Sequence, residues 1–200
     1  MILRLLRNIS KPSRSDWWMD EFSPAEREMI ENAFAPLGNI SAESMVRSKS
    51  PKEIGNLVGH LKKEHLRHLG YRLIERADAL LTDRVGLLDR HFYLAARGDF
   101  FYRWRNHDEF ALEQAISSFQ RQIEIAPEVA DHFRADQSWG FVPAHAGYRQ
   151  MRIIEEKRGN LDDAQKLCEQ AKSEGWVDDW DHHIARIARK RTRKATVGRE

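Results

Sequence analysis

Nine histidines in a chain of 200 residues raise metal chemistry first. The densest group is His60, Glu64, His65 and His68. His60, Glu64 and His68 are spaced by four, so on one helix they share a face and present two imidazoles and a carboxylate, a donor set zinc accepts. The His-Glu-x-x-His order of helical zinc hydrolases is missing, and Lys62, Lys63 and Arg67 are interspersed. The group reads as a solvated helix face of mixed charge. His182 and His183 lie beside Asp178, Asp179 and Asp181, but neighbours on a helix point apart, so they make a weaker donor set still.

Nucleophilic and acid–base chemistry find less support. Cys168, the single cysteine, falls at helical spacing with Ala164 and Ala171, where a buried thiol is inert. Asp162 and Asp163 follow a helix start and complement its dipole. A Gly-rich phosphate loop, a nucleophile elbow and a Gly-x-Gly-x-x-Gly fingerprint are all absent. The expectation is a protein with no catalytic residues, no metal and no cofactor.

Charge is more informative than its total of +2. Arg4, Arg7, Lys11 and Arg14 give residues 1–14 a charge of +4, and seven basic residues against Glu200 give residues 186–200 a charge of +6. The body between them holds 22 basic and 30 acidic residues and stands at −8. A lone cysteine excludes a disulfide framework and fits a reducing compartment, so a cytoplasmic location is expected. Residues 1–15 read as a flexible basic leader. Arg4 interrupts its apolar start, leaving too short a core for a signal peptide, and Ile2, Leu3, Leu5 and Leu6 offer only a marginal membrane contact. No apolar run approaches the roughly 20 residues a membrane span requires.

The elements that would position any site are helical throughout. Trp17, Trp18, Met19 and Phe22 should dock on the domain. Ser23, Pro24 and Glu26 form a capping box for a helix carrying Met29, Ile30, Ala33 and Phe34 and ending near Pro36 and Gly38. Residues 39–49 read as a polar linker. Ser50, Pro51 and Glu53 repeat the start signal and open one long amphipathic helix to about Leu81, with Ile54, Val58, Leu61, Leu69, Leu73, Ala77 and Leu80 as its stripe. A break at 82–86 precedes an aromatic helix from about Leu87 to Arg105, where Gly98 would permit a close helix approach.

In the second half, Ala115, Phe119 and Pro127 stand as a small residue, an aromatic four on and a helix stop eight beyond. Tyr148, Met151, Gly159, Ala164, Cys168 and Ala171 supply a fuller second pattern, and Asn160 is placed to cap its second helix. Over residues 90–175 this punctuation resembles a degenerate tetratricopeptide repeat (TPR), with pairs at about 90–127 and 143–175. Arg152 and Glu155 stand where the motif has a small residue and an aromatic, Gln122 replaces an alanine, and an insertion around 128–141 is expected as a short extra helix or ordered loop. The fold class is therefore all-α: helical hairpins of TPR-like type, as a solenoid or bundle, in one domain spanning 16–190 with a basic tail at 191–200. The segment from Pro51 would cap the first pair, and a helix capped at Asp178, carrying Trp180, Ile184, Ile187 and Ala188, would cover the last.

The resemblance implies a protein–protein interaction module, an adaptor or scaffold whose first helices line a groove for a peptide or partner helix. Carried over by position, that groove takes Arg149, Gln150, Ile153 and Lys157 from the second pair and Asp99, Tyr102 and Arg103 from the first. Some members of the family grip a terminal carboxylate with Lys and Asn; Gln150 and Ile153 stand where that clamp has Asn. The alternative is a nucleic-acid or ribosome-associated role, with Arg186, Arg189, Lys190, Arg191, Arg193 and Lys194 binding phosphate backbones through counterion release.

Overall fold

Serine side chains cap three of the early helices, at Ser23, Ser41 and Ser50. The computed structural model describes residues 16–34 and 40–197, with side chains through Arg193. The leader of residues 1–15, the helix end near Pro36 and Gly38, the Lys194 side chain and the last three residues lie outside the described residues. All regular structure described is helical: α1 (Trp17–Glu21), α2 (Pro24–Phe34), α3 (Ala42–Arg47), α4 (Pro51–His60), α5 (Arg67–Leu80), α6 (Leu87–Trp104), α7 (Ala111–Glu124), α8 (Ala126–Ala135), α9 (Ala146–Arg158), α10 (Leu161–Ser173) and α11 (Trp180–Val197). Among the described residues no helix is long and apolar enough to cross a membrane.

The capping box forms reciprocally: the Ser23 N–H donates to Glu26 Oε2 at 2.7 Å, and the Glu26 N–H donates to Ser23 Oγ at 3.3 Å. The expected linker contains a helix instead. Ser41 caps α3 by accepting from the Ser44 N–H, and the Glu31 carboxylate accepts from the Ala42 and Glu43 N–H groups, so a six-residue segment has its free donors satisfied from two sides. Its buried Ala42, Met45 and Val46 join the core.

The long helix expected from Pro51 is two helices. Leu61 leaves helical geometry with ψ 65°, a 3-10 turn spans Glu64–Leu66, and α5 runs back along α4. Leu61 is fully buried, whereas Lys62, Lys63, Glu64 and His65 are exposed. Folding the segment back lets both halves bury their stripes, a gain one straight rod of about 45 Å could not make inside a domain of this size.

Downstream, α6 packs on α7, α7 on α9, α9 on α10 and α10 on α11, and α6 also touches α9. α4 covers the other side of α6. Gly98 makes the α6–α7 approach possible: a Cβ there would stand 2.4 Å from Cε1 of Phe119. The insertion resolves into α8, which carries Pro127 in its first turn, followed by an ordered loop. Gly159 ends α9 in the left-handed region at φ 83°. Two expected caps differ. The Asn160 side chain donates to Glu155 rather than capping α10, and Asp179, not Asp178, accepts from the His182 N–H at the start of α11.

The core is built in two joined parts. One unites Trp18, Phe22 and the apolar faces of α2–α7 with Met151 and Ile154; the other gathers Phe133, Tyr148, Cys168, Trp176, Trp180 and Ile187, with Ile123 and Leu167 touching both. Burial pushes the Cys168 thiol up to about 11, which leaves no thiolate at neutral pH.

Candidate functional site

The groove residues expected from α6 and α9 fall into two groups. Asp99 and Arg103 are one turn apart on α6, and Arg149 on α9 is close enough to act on the Asp99 charge. Asp99 is exposed, yet surrounding protein desolvates its carboxyl and raises its pKa against the opposing pull of Arg103 and Arg149. Desolvation likewise lowers the pKa of the half-buried Arg103, with Asp99 opposing, and its Nη1 is buried without a hydrogen-bond partner. In the second group Lys157 Nζ donates to Tyr102 Oη at 3.2 Å and lies 5.8 Å from the ring centroid.

Gln150 is half-buried, and its Oε1 finds no donor. Ile153 lines a cleft of about 220 Å³ with Arg152, Glu156, Lys157, Arg186 and Lys190. Arg149 Nε pairs with Asp178 Oδ2 at 3.1 Å, which ties α9 to the start of α11. Burial alone would raise the Asp178 carboxyl, but the Asp179 N–H and Arg149 hold it below the usual range. His183 Nε2 lies 3.6 Å from Asp178 Oδ1, and its buried Nδ1 has no partner.

A charged cluster joining α9 to α11 went unread in the sequence. Glu156 accepts two bonds from Arg186, at 2.6 and 2.7 Å, one from Lys190 at 2.7 Å and one from Arg152 at 2.7 Å. Burial opposes its charge, yet these three cations bring its pKa down to about 2. The available signal was the four-residue spacing of Arg152 and Glu156 on α9, matched by that of Arg186 and Lys190 on α11.

The basic C-terminal residues divide accordingly. Arg186 and Lys190 are held by Glu156, and Arg191 is held by Asp162 at 3.2 Å and by Gln165. Arg189 and Arg193 are exposed and, among the described residues, have no carboxylate partner.

The helix break at Leu61 removes the shared face on which His60, Glu64 and His68 were placed. Glu64 turns to His107 at 3.8 Å and His68 to Glu26 at 3.9 Å. Among the described residues no three His, Cys, Asp or Glu side chains are arranged to hold a metal. A different histidine pair is buried against the second part of the core. The His91 ring lies parallel to Trp176 at 5.6 Å, and the His145 ring lies 5.1 Å from His91 and 4.5 Å from Trp176. Gln122, the residue in place of an alanine, joins this layer by donating to the His91 carbonyl and accepting from the Gly147 N–H.

No protein-family model matches this chain, and neither a curated protein nor a solved structure matches it.

Proposed function

We propose that the face formed by α6, α9 and α11 is a groove holding an extended peptide or a partner helix, so that the chain works as an interaction module and not as an enzyme. The observation that carries this reading is the meeting of side chains from three helices: Lys157 of α9 reaches Tyr102 of α6, and Arg186 and Lys190 of α11 reach Glu156 of α9. Arg152, Arg186 and Lys190 are held by Glu156 and Arg149 by Asp178, so the excess of cations over carboxylates on this face, which favours an acidic partner, is presented mainly by Arg103 and Lys157.

The helix order supports a TPR-like assignment, with α6–α7 and α9–α10 as the two pairs, α11 covering the last and α4–α5 the first. In the test, Arg149→Ala combined with Tyr102→Ala abolishes recovery of protein partners while the circular dichroism spectrum is retained. Recovery equal to that of the native chain overturns the assignment.

A second reading, phosphate-backbone binding, rests among the described side chains on Arg189 and Arg193, because Arg186, Lys190 and Arg191 already have carboxylate partners. It requires that Arg189→Ala with Arg193→Ala weaken binding to a random duplex and flatten its salt dependence by about two phosphate contacts.

A further inference from the structure

One end of the proposed groove opens into a pocket of about 330 Å³ between the α6 C-terminus, α7 and the last turn of α9. Leu112 and Ile154 supply apolar wall, and the polar lining is Tyr102, Arg105, Asn106, Lys157 and Arg158. Arg105 lies over the Tyr102 ring, with Cζ 4.2 Å from the centroid, and its Nη1 donates to the Tyr102 carbonyl at 2.7 Å. Lys157 reaches the same tyrosine from α9, through Oη and the ring. Among the described residues neither Arg105 nor Lys157 pairs with a carboxylate, and no carboxylate lines the pocket. Arg158 is shared with Glu155 at 3.0 Å. Helix dipoles favour cations at the ends of α6 and α9. They do not account for cations of two helices converging on one tyrosine beside an apolar wall.

We propose that this pocket binds a phosphate monoester on a short apolar or aromatic stem, the dianion between Arg105 and Lys157 and the stem against Leu112 and Ile154. Two cations without counter-charges match a dianion better than a single carboxylate, and a guanidinium with an ammonium gives a phosphate the donors its oxygens accept. The volume lies at the lower end of the range for small-ligand sites. Delivery of the ester on a peptide side chain rests on the groove reading above; binding of the ester itself does not.

The test is a titration of the ¹⁵N-labelled full chain at constant ionic strength with phenyl phosphate, inorganic phosphate and benzoate. Phenyl phosphate should shift the amide signals of residues 102–112 and 154–158 saturably and bind at least about tenfold tighter than either other anion. Arg105→Gln with Lys157→Gln should lose that binding by about tenfold or more, while Arg189→Gln with Arg193→Gln keeps it and Lys157→Arg retains most of it. No saturable shift, or inorganic phosphate binding as tightly as phenyl phosphate, overturns the proposal. A phosphotyrosine-containing peptide then separates the two sources of the ester. Tighter binding than phenyl phosphate, with shifts extending to Gln150 and Asp99, supports the ester arriving on a groove-bound segment. Equal binding with no further shifts supports a free phosphate monoester as ligand and counts against the groove, leaving the pocket in place.

Discussion

Acid should destabilise this protein before its carboxylates titrate, through His91 and His145. Both are almost completely buried, and burial depresses their pKa values to about 4 and about 3, with the His91 charge adding to the effect on His145. The cap of α9 gives the same direction, against the Gln122 backbone, which favours the charged His145 ring. His145 Nδ1 accepts from the Tyr148 N–H as the cap of α9, so a proton at that atom removes the cap. A histidine with a lowered folded pKa contributes stability that is complete above its unfolded value, about 6.5, and is lost as pH falls from there toward the folded value. At pH 5 each unfolded imidazole has gained about 1.5 pH units of protonation free energy that the folded ring cannot gain. At about 1.36 kcal/mol per unit this is about 2 kcal/mol per ring, or about 4 kcal/mol for the pair. Glu26 and Glu156, both lowered to about 2, act in a different window: their stabilisation is present above about 4.5 and is lost as pH falls toward 2. Urea denaturation at pH 8 and pH 5 should therefore differ by about 4 kcal/mol, a large part of the roughly 5–15 kcal/mol typical of a domain. The pH dependence should flatten in His91→Gln with His145→Asn, where Asn keeps an acceptor at the cap. A native chain losing less than about 1 kcal/mol over this interval refutes the reasoning.

Two other consequences concern packing and charge. Gly98→Ala gains about 1 kcal/mol of helix propensity but drives a methyl into the fully buried Phe119 ring, at the upper end of the roughly 1–3 kcal/mol that overpacking costs. A net loss of about 2 kcal/mol should lower Tm by several degrees, and an unchanged or raised Tm contradicts the close approach. Glu156→Gln leaves Arg152 and its neighbours around a buried neutral group, which should cost about 3 kcal/mol in chemical denaturation because a broken buried pair leaves an uncompensated charge. A change below about 1 kcal/mol would show that this cluster is not a structural anchor.

The helical class was legible because caps and apolar spacing are local. Ser23–Glu26, Ser50 with Pro51, and Gly159 each act within a few residues of themselves, and each does in the structure what its chemistry dictates. What was misread depends on distant partners. α3 draws two of its caps from Glu31, eleven and twelve residues away. The turn at Leu61 is favoured by what α4 and α5 bury once folded together, and a single stripe from Ile54 to Leu80 is the pattern two antiparallel helices also leave. In the candidate site, Lys157 of α9 meets Tyr102 of α6, and Arg149 of α9 lies near enough to Asp99 of α6 to act on its charge. Glu156 was missed because its partners come from α11, thirty and thirty-four residues on, in a stretch that looked like free basic tail. The His91–His145 layer was equally hidden, since two histidines 54 residues apart carry no spacing signal.

Photo-cross-linking from single positions tests the groove most directly. A benzophenone side chain at Asp99 or at Ile153 lies within the face formed by α6, α9 and α11, and one at Glu169 lies on the exposed side of α10. Partner cross-links from Asp99 and Ile153 with none from Glu169, in a chain whose circular dichroism is unchanged, are the expected result. Cross-links from Glu169 with none from the other two would contradict the account.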